Sequence, residues 1–141
     1  MPCRVRRGRA TLLALIAPIA LAHPAVAQVA NNDLAAVSGY TLTMPKYKQY
    51  LAATQNLAAA AAANPEATME DTGGSIDEIV AKISAIPPAK TAITSSGLTV
   101  RDFVLTQGAL LQTGMAYGMM KEFNISKDSV VKTAKVNPAN L

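Results

Sequence analysis

The chain has 141 residues, half of them hydrophobic, with one Cys, one His, no Trp and a formal charge of +4. That length holds one domain. Excess positive charge points to a polyanion partner only when the excess belongs to the folded part, and here it lies in residues 1–27.

Residues 1–27 carry the three parts of a secretory signal peptide. Arg4, Arg6, Arg7 and Arg9 form a basic start without an acid. Ala10 to Ala22 is an apolar run broken only by Thr11 and Pro18, and Ala25 and Ala27 are small where a signal peptidase cuts. Thirteen residues are too few to span ~30 Å of hydrocarbon, so an anchor is not expected. Gly8-Arg9-Ala10 lacks the large apolar pair of a twin-arginine signal. Cys3 precedes the apolar run, unlike the lipidated Cys of a lipoprotein, and Pro2 excludes myristoylation. Cleavage after Ala27 and a periplasmic or secreted product are expected.

Export changes the composition. The four signal-peptide arginines leave, and the nine Lys and Arg that remain balance the nine acids. The electrostatic case for nucleic-acid binding goes with them. Cys3 and His23 also leave. Residues 28–141 therefore hold no Cys or Ser-His nucleophile, no thiolate or imidazole zinc site, no c-type haem attachment and no disulfide. The apolar core alone has to hold the domain.

Residues 28–42 show little periodicity and read as a mobile leader with at most one loose turn near Leu34–Val37. A single helical domain is expected over 43–141. Thr43 caps a helix with Pro45 in its first turn, and Tyr47, Tyr50, Leu51, Thr54, Leu57, Ala58 and Ala61 recur at helical spacing until Asn64-Pro65. After a loop ending in Gly73-Gly74, Ser75 and Glu78 form a capping box ahead of an apolar face of Ile76, Ile79, Val80, Ile83 and Ile86. Pro87-Pro88 starts a short helix that Gly97 closes.

Thr99 and Asp102 cap the next element, Val100 to about Phe123, which has no charge from Phe103 to Met120. A helix apolar on all sides is either a buried centre or a membrane span. Its Thr, Gln and Gly content makes a poor span, so a central helix wrapped by the others is expected. Gly108, Gly114 and Gly118 each cost ~1 kcal/mol there. The expected compensation is a tight crossing of Gly114-x-x-x-Gly118 against the thin rod Ala58–Ala63. A short helix to about Ala134 follows. Asn137-Pro138 then reads as a cap and first-turn proline with only three residues to follow, so a further C-terminal helix is expected to be missing from this chain.

The Tyr-rich first helix, Gly97-Leu98-Thr99, Asp102-Phe103-Val104-Leu105-Thr106 and Asn137-Pro138-Ala139-Asn140 resemble a family of small exported bacterial proteins without assigned function, over residues 42–141. The resemblance implies a chain that continues past Asn140 into a helix. It carries no site residues.

Three groups of side chains could carry chemistry. Glu70, Asp71, Asp77 and Glu78 lack EF-hand spacing, and the last two serve a helix N-terminus. Met115, Met119 and Met120 lack the further soft ligands of a Cu(I) site and read as core filler, so no metal or other cofactor is expected. Gln107 and Gln112 need partners if the helix is central. Either Tyr47, Tyr50, Tyr117 or backbone supplies them, or a small pocket of Gln107, Met115 and Tyr117 orients an apolar ligand. The expected fold is an all-α bundle of four or five helices. The expected role is a non-catalytic exported interaction or scaffold domain, binding an unknown protein or itself, with a carrier of a small apolar ligand as the alternative.

Overall fold

A computed structural model describes residues 31–64 and 74–141. The signal segment, Glu70 and Asp71 lie outside them. Among the described residues the protein is all-α, with six α-helices and a terminal 3₁₀ turn, and no helix is long and apolar enough to cross a membrane. The helices are α1 (Asn31–Gly39), α2 (Met44–Ala63), α3 (Ile76–Ser84), α4 (Pro87–Thr94), α5 (Val100–Phe123) and α6 (Lys127–Ala134), with the 3₁₀ turn at Pro138–Asn140.

The ends follow local chemistry. Thr43, Ser75, Thr99 and Ser126 each accept a bond from the backbone N–H three residues on, and the Ser75–Glu78 box is closed in both directions. Gly97, with φ 89°, turns the chain between α4 and α5. Asn124 stops α5 in the left-handed region at φ 51°, a conformation Asn tolerates better than most side chains.

The expected mobile leader is corrected over residues 31–42. α1 packs on α5, with Val37 in the core, and Tyr40 is tied to α5 through its hydroxyl, 3.2 Å from Asp102 Oδ1 and 3.1 Å from Thr106 Oγ1. Nine residues with only Leu34, Val37 and a few alanines are too short and weakly apolar to declare a helix. Tertiary contacts stabilise it instead.

As expected, α5 is central and packs on each of the other five helices, but they do not wrap it along its whole length. Val100, Phe103, Val104, Thr106 and Ala109 are buried, but beyond Leu110 only Ala116 is. Helix length explains this. At 24 residues α5 is about 36 Å long, whereas α3 with nine residues spans about 14 Å. The short helices wrap one half. The other half meets α6 and the tail on one side, in a smaller cluster of Ala116, Val130 and Val136 flanked by Met119, Met120 and Leu141.

The expected crossing of Gly114 and Gly118 on the alanine rod does not exist among the described residues. A methyl group placed on either glycine would meet nothing within 4 Å, and Ala58, Ala59, Ala62 and Ala63 are exposed. α2 instead packs on α4, burying Ala53, Ala89 and Ile93 completely, and Asn56 Nδ2 donates to Ala92 O at 3.2 Å. The close approach on α5 is at Gly108, where a Cβ would lie 3.0 Å from Val37 Cγ2.

The Asn-Pro-Ala-Asn segment forms the 3₁₀ turn and clasps the α1–α2 connection. Asn137 and Asn140 both donate to Tyr40 O, at 3.2 and 2.9 Å, and Leu42 N donates to Asn140 Oδ1 at 2.8 Å.

Candidate functional site

One concave site stands out among the described residues, a half-open cavity of about 390 Å³ bounded by α1, α2, α3 and one side of α5. Each wall follows from helical spacing. α3 contributes Ile76, Ile79 and Ile83, the stripe that faces inward once the capping box sets where the helix begins. α2 contributes Tyr50, Thr54 and Leu57, again three and four residues apart. α5 contributes Phe103, Val104, Gln107, Gly108 and Leu111, and α1 contributes Asp33 and Val37. Gly108 lets Val37 sit against the α5 backbone, so α1 closes that flank of the cavity.

Two interactions hold the walls in register. The rings of Tyr50 and Phe103 stack with centroids 5.1 Å apart at 27°, joining α2 to α5. Asp33 Oδ2 accepts from Ile76 N at 3.1 Å, joining α1 to the N-terminus of α3. That bond complements a helix N-terminus, where a carboxylate is favourable.

The lining is apolar apart from a few groups. These are the Asp33 carboxylate, the Tyr50 phenol, the Thr54 hydroxyl (which donates to Leu51 O at 2.8 Å) and the exposed Gln107 amide. Burial pushes the Tyr50 phenol above its ordinary value near 10. The arrangement can take up an apolar molecule and orient it by hydrogen bonds to these few polar groups. It pairs no nucleophile with a base. Among the described residues no group of three His, Cys, Asp or Glu is placed to hold a metal ion.

The three residues expected to share a ligand do not meet in one pocket. Gln107 lines the cavity. Met115, 57% exposed, continues the open face of α5 beyond Leu111, and Tyr117, 55% exposed, has the Lys121 ammonium 5.7 Å from its ring centre. Gln112 is the amide that turns inward, and it donates to Ala134 O at 3.1 Å and Lys135 O at 3.2 Å, holding the end of α6, and to Ser38 Oγ at 3.4 Å. Met119 and Met120 pack against the α6 cluster. Of the acids, Asp77 pairs with Arg101 and Glu78 serves the capping box.

Of the lining residues sequence alone brought only Gln107 to a ligand site; the apolar stripes of α2 and α3 were legible as helix faces, whereas Asp33 and Val37 lie in a segment whose pattern is too weak to place. The available signal was the spacing of Asp33 and Val37, four apart and so on one face of a helix.

Comparison with protein-family models, curated proteins and solved structures found no match.

Proposed function

We propose that this is an exported, non-catalytic carrier that takes a small apolar molecule into the cavity between α1, α2, α3 and α5. The observation that supports it is the cavity itself. Its volume of about 390 Å³ falls within the ~300–1,000 Å³ of ligand pockets, and a mainly apolar wall with a few polar groups is the usual pattern of such sites. Native mass spectrometry of protein recovered from the exported fraction of its host tests this. A mature chain beginning at Gln28, with extra mass that survives gentle ionisation and leaves on denaturation, is the expected result. Bare protein that gains no thermal stability from any apolar probe counts against the carrier, because a ligand at 100 times its Kd adds about 2.7 kcal/mol.

An interaction domain is the second reading, supported by a separate observation. Leu111, Met115, Tyr117 and Phe123 on the unwrapped half of α5 are between 55% and 72% exposed. Large apolar side chains grouped at one end of a helix are a usual mark of a protein contact. Sedimentation equilibrium tests self-association. A monomer at all concentrations, unchanged by Met115→Glu, removes the self-associating form.

A further inference from the structure

We infer that the cavity selects an apolar molecule bearing a cationic head group and rejects one bearing an anion. This rests on the carrier reading and goes beyond it by naming the charge of the ligand. Among the described residues Asp33 is the one charged group in the lining. It sits where the cavity meets the start of α3, and no Lys or Arg shares the lining with it.

A helix N-terminus at a cavity wall would ordinarily favour an anion. Here that attraction is already used. Ile76 N donates to Asp33 Oδ2 at 3.1 Å, Ser75 N donates to Glu78 Oε2 at 2.7 Å, and Glu78 N donates to Ser75 Oγ at 3.3 Å. Two carboxylates thus occupy the end of α3 that adjoins the cavity, one of them inside it. Arg101, the nearest cation on α5 in sequence, is held by Asp77 and is half-exposed outside the lining. An incoming carboxylate or phosphate meets like charge, and the lining offers it no cation, only the neutral donors of Tyr50 and Gln107. An ammonium meets the Asp33 carboxylate across a wall of low polarity, where charge interactions are stronger than in water.

Probes with one tail and three heads test the selection: octylammonium, octanol and octanoate, with binding followed by calorimetry at pH 7 on the mature chain. The expected order is octylammonium, then octanol, then octanoate, with about tenfold between first and last, the size of a modest charge interaction at a partly solvated site. Asp33→Asn keeps an oxygen for Ile76 N and removes the charge, so it should bring the three affinities together. Asp77→Asn, outside the lining, should leave the order intact. Octanoate binding as tightly as octylammonium, or an order unchanged in Asp33→Asn, overturns the selection while leaving the carrier standing. Failure of all three probes to bind removes the carrier reading and the selection with it.

Discussion

Replacing Gly114 and Gly118 with Ala should stabilise the protein. Gly inside a helix is worse than Ala by about 1 kcal/mol, through backbone entropy and lost side-chain cover. Both positions are inside α5, and an added methyl meets nothing within 4 Å at either. No steric term opposes the gain. Each substitution is expected to add about 0.5–1 kcal/mol, and the pair about 1–2 kcal/mol. For a domain of this size that is a rise in Tm of roughly 5–10 °C. Gly108→Ala is the internal control. Its Cβ would lie 3.0 Å from Val37 Cγ2 and 3.5 Å from Cγ1, so the same propensity gain is opposed by moving α1 off α5. That variant should fall at least ~1 kcal/mol below the other two. Urea and thermal unfolding followed by helix circular dichroism, over a range of protein concentrations, measure all three. Destabilisation by Gly114→Ala or Gly118→Ala would refute the open face. A loss that grows with protein concentration would further identify a second copy as what covers it.

Other positions give independent checks. Thr106 is fully buried and its hydroxyl lies 3.1 Å from the Tyr40 hydroxyl, so Tyr40→Phe should cost about 1–2 kcal/mol in urea unfolding by leaving a buried polar group unpaired. Thr106→Val added to Tyr40→Phe should then cost little more, and full additivity in the double-mutant cycle would rule out this pairing. Asn140→Ala removes the bonds to Tyr40 O and Leu42 N. It should cost about 1–2 kcal/mol and speed amide exchange at Leu42, whereas unchanged exchange would show that the clasp does not restrain α1. Because burial raises the folded pKa of Tyr50 above the unfolded value near 10, its contribution to stability is fully present below pH 10 and is lost as pH climbs through the folded pKa. Tyr50→Phe should flatten that alkaline loss in a pH series of unfolding midpoints.

Much of the backbone was legible because it is set by neighbours in sequence. Thr43, Ser75 and Thr99 stand where helix N–H groups need an oxygen, and the structure uses each as a cap. Pro45, Pro87 and Gly97 fall where their φ angles belong. The all-α class followed from those signals and from the 3.6-residue spacing between them. α1 escaped because it is held by Val37 against Gly108, by Asp33 on α3 and, just past its end, by Tyr40 on α5, partners 43 to 71 residues away.

The candidate site was half legible for the same reason. The inward stripe Ile76, Ile79 and Ile83 could be read from α3 alone, and Gln107 was singled out as an amide in need of a partner. Periodicity, however, shows only that a helix has an apolar side, not which neighbour covers it. α5 is apolar all round, so sequence could not say that its first half is wrapped while Leu111, Met115 and Phe123 remain open. That depended on how far the shorter helices reach along it. Composition and order along the chain determined the helices, their caps and the chemistry that is absent from residues 28–141. Tertiary packing decided where those helices leave a space, which carboxylate enters it and which apolar face stays uncovered, because these depend on helix lengths and crossings between segments far apart in the chain.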